Sequence, residues 1–239
     1  MAAMTLDTLT ADLQRVHGDA LVAVVLYGSA ARGERIEQKS DFNVLVIVRA
    51  LTSATLRATA GSAKAWAASG NPPPLILTET EWRSSRDVFA IEVADILDRH
   101  RVLAGALPAE PSAVDMPHLR HQLEFEAMGK LIALRQGILR AEGSAEQELQ
   151  LLAASKSAVL VLFRTLLRVH GERGMDGSVA VVKRAAELAG FDAAPFVQVV
   201  DHVAGTATIP ASQADAVLGA YHAGLERFVA HVDALVHAG

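Results

Sequence analysis

The pattern of apolar and polar positions changes character part-way along the chain. Leu6, Leu9, Leu13 and Val16 recur at three- and four-residue steps, which predicts an amphipathic helix over residues 5–17. Leu21 to Tyr27 is a continuous apolar run after a Gly-Asp break, the signature of a strand buried on both faces. Phe42 to Val48 is a second, β-branched run, and residues 52–69 are Ala-rich and helical. Asn71-Pro72-Pro73-Pro74 forbids a helix and leads into a third strand, Leu75 to Thr78. Residues 86–100 are helical by period, through Val88, Ile91, Val93, Ile96 and Leu97, and Arg101 to Ala104 adds a short strand.

Past residue 110 only helical periods remain, roughly over 118–142, 145–170, 178–190, 194–204 and 211–237. Breaks fall at Gly143-Ser144, Gly171 to Gly177, Gly190 and Ile209-Pro210. Three prolines between residues 106 and 117 mark a linker. The expected organisation is a domain over 1–108, a linker over 109–117 and a helical domain over 118–239 built as an up-and-down bundle.

Composition narrows the function classes. The 239 residues include no cysteine, which removes thiolate nucleophiles, disulfides and cysteine-held metals. The net charge of −5 is evenly spread: 11 basic against 13 acidic residues in 1–110, and 11 against 14 thereafter. Neither half has the basic excess that a grip on long nucleic acid needs. The first ten residues, MAAMTLDTLT, contain no Lys or Arg, so a targeting peptide is not expected and the expected location is the cytoplasm. Apolar runs such as Leu21 to Tyr27 fall well short of the roughly 18 residues of a membrane span. The composition admits a homo-oligomer without arguing for one.

One segment carries candidate chemistry. Leu26-Tyr27-Gly28-Ser29-Ala30-Ala31-Arg32-Gly33 is followed by Lys39-Ser40-Asp41-Phe42-Asn43. A buried strand ends in Gly-Ser, and Ser29 is a residue type that caps a helix. Backbone N–H groups at such a turn suit a phosphate, and glycine lets the phosphate approach. Twelve residues on, Asp41 leads the next strand, and Asp41 and Asn43 share a face there because strand side chains alternate.

This constellation resembles the nucleotidyltransferase superfamily, which includes DNA polymerase β and the aminoglycoside nucleotidyltransferases. The likeness is tight over residues 20–50 and looser to about residue 105. It implies an α+β chain, with a mixed sheet flanked by helices followed by the helical bundle. It also implies a reaction: a nucleoside monophosphate passes from ATP or another nucleoside triphosphate to a hydroxyl on a small acceptor. Gly28, Ser29, Arg32 and Ser40 would hold the nucleotide. Asp41 would be the catalytic and principal metal ligand for Mg²⁺, with Asn43 auxiliary. Two such ions about 3.5–4 Å apart clamp the attacking and leaving oxygens of the transfer.

The sequence departs from that pattern at two places. Asn43 offers one neutral oxygen where the family carries an acid. The third strand has no central carboxylate, so Glu79 at its end and Glu92 beyond it are the candidates for the third ligand. With fewer anionic oxygens the expected Mg²⁺ site is weak or dependent on substrate phosphate. The alternative is an impaired member of the same fold that binds nucleotide or acts as a regulatory, antitoxin-like module. Glu92 and Asp95 also stand at helical spacing with Arg99, where a surface ion pair is the simpler reading.

In the helical half, Arg120, Glu124 and Glu126 are candidate acceptor contacts in a cleft between the domains, by analogy suited to a cationic aminoglycoside. Arg164 and His170 resemble the Arg-x4–6-His motif of HEPN ribonucleases, although a histidine before Gly171 also suits a helix C-terminus. His118 and His121 have ligand spacing but no third partner, and Trp66 and Trp82 read as packing residues.

Overall fold

The computed structural model describes residues 4–31, 33, 42–108 and 115–237. The chain divides into two compact units, Met1–Val114 and Asp115–Gly239.

The first unit is built on a four-stranded sheet. Its strands are β1 (Leu21–Tyr27), β2 (Asn43–Val48), β3 (Leu75–Thr78) and β4 (His100–Gly105), in the order β3-β2-β1-β4. β1 runs antiparallel to β2 and to β4, while β2 and β3 are parallel, so the sheet is mixed. A parallel neighbour needs a crossover, and α2 (Ser53–Ala68) supplies it.

Alternation along the strands sorts their side chains into two cores. Val24, Leu26, Val44, Val46 and Val48 face Leu9 and Leu13 of α1 (Leu6–His17) and Trp66 of α2. Ala23, Val25, Leu45 and Ile47 face Trp82 of α3 (Glu79–Ser84) and Val93 and Ile96 of α4 (Ala90–Asp98). Burial on both faces explains why β1 and β2 read as unbroken apolar runs rather than alternating ones.

Local chemistry sets the helix ends. The Thr5 hydroxyl accepts from Thr8 N–H at 3.2 Å and starts α1. α3 was not expected. It is opened by a capping box in which Thr78 accepts from Glu81 N–H at 3.2 Å and Glu81 accepts from Thr78 N–H at 2.7 Å. The helix expected over 86–100 is shorter, Ala90–Asp98, because residues 85–89 form turns and His100 is drawn into β4 by pairing with Tyr27.

The second unit is helical: α5 (Met116–Ala141), α6 (Ala145–Val169), α7 (Ser178–Ala189), α8 (Ala194–Ala204) and α9 (Ala214–His237). Glu142, in the left-handed conformation, and Gly143 turn the chain between α5 and α6. α6 lies in the core, where Phe163 packs on Phe191, Phe196 and Phe228 at ring separations of 5.0–5.2 Å. By length and hydropathy alone α6 is the one described helix that could cross a membrane; 44% of its most apolar window is buried inside the protein.

Candidate nucleotide site

The site forms where β1 ends. Tyr27 pairs with Asn43 on one side and His100 on the other, so Asn43, Tyr27 and His100 lie in one row across the sheet. Gly28 follows immediately, with φ +76°, a conformation that disfavours any side chain. A Cβ at Gly28 would stand 3.1 Å from Asn43 Nδ2, so the turn and the amide are in intimate contact.

Gly28–Ala30 form a single 3₁₀ turn, closed by Ala31 N–H donating to the Gly28 carbonyl at 3.2 Å. Ser29 is the middle residue of that turn and does not cap an α-helix among the described residues, contrary to the sequence expectation. Three residues give no appreciable helix dipole, so any phosphate here relies on the turn's own N–H groups and on added cations. Arg32, Ser40 and Asp41 lie outside the described residues.

Asn43 begins β2 and shares its face with Leu45 and Ile47, the face on which α3 and α4 pack. On its other flank, Phe42 N–H donates to Asn71 Oδ1 at 2.9 Å, which draws the proline run alongside the start of β2. The parallel register pairs Leu45 with Leu75 and Val46 with Ile76. β3 begins at Leu75, so the observed pairing stops at Leu45, two residues short of Asn43.

The structure does not bring the proposed third carboxylates to this row. Glu79 follows Thr78, whose partner is Val48, so it lies at the opposite end of β2, about 16 Å of strand away at ~3.3 Å per residue. Its carboxylate is bound by Arg83 one helical turn on. Glu92 is exposed in the first turn of α4. Among the described residues the acids nearest the row in sequence are Asp95, only 6% exposed near the end of α4, and Asp98, two residues before His100. Neither these acids nor Tyr27 and His100 stood out in the sequence as members of the site, because the register alone assembles the row. Arg99 ends α4 in an extended conformation, its N–H donating to the Asp95 carbonyl at 3.2 Å.

The described residues alone do not make up the two-Mg²⁺ arrangement that the resemblance implies, and Asp41 lies outside them. Among the described residues no three His, Cys, Asp or Glu side chains cluster as a metal site. Mg²⁺ selects hard, anionic oxygens, whereas the side chain of Asn43 contributes one neutral carbonyl.

In the second unit, Arg164 is buried within α6 while His170 is exposed at its C-terminus, stacked on His231 at 5.9 Å. His118 and His121 are exposed beside Asp115 (3.1 Å) and Glu124 (3.9 Å). Glu126 is tied to Lys130 at 3.0 Å. Trp66 and Trp82 are fully buried packing residues.

No family model and no curated protein matches this sequence. Among solved structures the chain is similar to the spectinomycin adenyltransferase of Enterococcus faecialis, solved with ATP and spectinomycin. The TM-score is 0.61 at 12% identity, over 92% of this chain and 96% of that one. The fold is that of a nucleotidyltransferase. The likeness reaches across both the sheet unit and the helical unit of this nucleotidyltransferase-fold chain.

Proposed function

We propose that this nucleotidyltransferase-fold protein binds a nucleoside triphosphate at the Gly28 turn and acts as a binding or regulatory module rather than as a Mg²⁺-dependent transferase. The observation that carries this reading is the row at the end of β1, where the neutral amide of Asn43 meets the Gly28 turn. Triphosphate binding needs backbone N–H groups and cations, and the turn with Arg32 supplies them. Transfer needs charge neutralisation on both sides of the α-phosphorus, and among the described residues no cluster of acids is gathered for that. The solved neighbour, bound to ATP, supports the choice of nucleotide.

Titration calorimetry with ATP, with and without Mg²⁺, tests this directly. The expected result is binding that Mg²⁺ changes by less than about threefold, with no nucleotide consumed in the presence of hydroxylated aminocyclitols. Mg²⁺-dependent release of pyrophosphate with modification of an acceptor would overturn it.

A second reading is favoured by the extent of the similarity, which includes the helical unit. In it, the chain transfers AMP to a small acceptor: the acceptor oxygen bonds to the α-phosphorus, the bond to the β-phosphate oxygen breaks, and pyrophosphate leaves. Asp41 would then be the principal ligand and the substrate phosphates would complete the set. The same acceptor assay decides between the two.

A further inference from the structure

The segment between α2 and β3 grips the start of β2 at two points. Phe42 N–H donates to Asn71 Oδ1 at 2.9 Å, across 29 residues of chain. The Phe42 ring packs on the buried ring of Trp66, with centroids 6.0 Å apart. Strand pairing begins only at Asn43 on the β1 side and at Leu45 on the β3 side, so the Asn71 side chain supplies an acceptor just before the ladder starts. Asn71 is itself held stiffly. Before it, Ser69 N–H donates to the Trp66 carbonyl at 3.1 Å and Gly70 N–H to the Ala67 carbonyl at 3.0 Å, which closes the end of α2. After it, Pro72, Pro73 and Pro74 fix successive φ angles and lead directly into Leu75, the first residue of β3. A short side chain between a closed helix end and a rigid run keeps its oxygen in one place.

We propose that Asn71 is a positioning residue for the nucleotide site, setting through Phe42 the place of Asn43 against the Gly28 turn. The inference rests on the nucleotide reading of that turn and adds to it a residue that acts through its neighbours. Strand alternation makes the link specific. Phe42 packs in the core on the α1–α2 side, while Asn43 beside it shares the opposite face with Leu45 and Ile47. Holding Phe42 by its N–H and its ring restrains rotation of Asn43 about the strand. The contact at stake is close, since a Cβ on Gly28 would stand 3.1 Å from Asn43 Nδ2. The held N–H also belongs to the planar peptide group that joins Phe42 to Asp41. The donor is a backbone N–H, so position 71 must offer an oxygen, whereas the rest of its amide is dispensable.

Full-length protein carrying Asn71→Ala tests the role, with Asn71→Asp as the control that keeps an oxygen at the same reach. In the wild type the Phe42 amide should be protected in hydrogen exchange read by NMR, and Asn71→Ala should speed its exchange by about tenfold or more. Asn71→Ala should also weaken ATP binding by about tenfold in calorimetry, while its far-ultraviolet spectrum stays that of the wild type. Asn71→Asp should bring both readings back to within about threefold of the wild type. A merely structural bond would lower the unfolding midpoint of Asn71→Ala and leave the ATP affinity of the folded protein unchanged, and that result overturns the proposal. So does an Asn71→Asp variant that binds ATP as weakly as Asn71→Ala, or a Phe42 amide that exchanges at one rate in the wild type and in Asn71→Ala. Each of these failures leaves the nucleotide reading standing. Absence of ATP binding to the wild type would remove that reading and this role together.

Discussion

The two ends of the sheet are built differently. At the Val48 end, polar groups are closed off by short-range partners: Thr78 and Glu81 cap each other, Arg83 holds Glu79, and the Arg49 guanidinium donates to the Asp19 carbonyl. Gly105 also belongs to this end, paired with Ala23. At the Asn43 end the chain makes a positive-φ turn against an amide and a run of prolines that donate no hydrogen bonds. One end is organised to hold the strands together, while the other carries the glycine turn and the amide. The two ends of the same strands can therefore change independently, one serving the scaffold and the other the site.

Substitutions at the two glycines should separate these ends most sharply. Gly105→Ala places a Cβ 2.0 Å from the Val22 carbonyl oxygen on a backbone of φ +69°. A denaturant titration should show a loss of about 3–5 kcal/mol, with nucleotide affinity of the remaining folded protein unchanged. Gly28→Ala meets only the softer amide of Asn43 at 3.1 Å, so about 1–2 kcal/mol is expected there. In compensation it should weaken ATP binding more than about tenfold, read by calorimetry. Equal stability losses at the two sites would dissolve the distinction.

The substitution Asn43→Asp tests that end from the other side. It adds an anionic carboxylate beside the Gly28 turn and should raise Mg²⁺ affinity by about tenfold or more, measured in the presence of ATP. Unchanged Mg²⁺ binding would mean that residue 43 does not face a metal.

The smallest effect expected is one of pH. His17, next to the start of β1, is buried, with its Nε2 3.2 Å from the Thr59 hydroxyl, and burial holds its pKa below the usual 6.5. The unfolded chain takes up a proton near pH 6.5 that the folded chain resists. Stability is therefore full above that pH and falls as the pH drops through the lowered folded value. Unfolding midpoints measured from about pH 8 to about pH 5 should decline on the acid side, and His17→Leu should flatten part of that slope. His231, lowered by burial and by the neighbouring charge of His170, adds to the slope in the same direction.

How much of this was legible in the sequence depended on range. β1 and β2 could be read because unbroken apolar runs announce strands buried on both faces. The helices of the second unit could be read because Leu, Val and Phe recur at helical spacing over many turns. α3 also had a local signal, the Thr78-x-x-Glu81 capping box, masked by the strand that runs into it. The site was only half legible. Gly28 and Asn43 stand out as residue types, but which residue faces Asn43 from β3 depends on register, and register is set by long-range pairing. Glu79 looked close because it ends the third strand; parallel pairing of Thr78 with Val48 carries it away from Asn43.

The two cores of the sheet unit each contain one tryptophan, Trp66 on the α1–α2 side and Trp82 on the α3–α4 side, and these are the chain's entire complement. The helical unit has none, and its buried aromatic hydroxyl is Tyr221. Tryptophan emission consequently reports on the sheet unit alone. A layer-by-layer account comes from removing Trp66 or Trp82 in turn, so that each remaining indole watches one face of the sheet come apart.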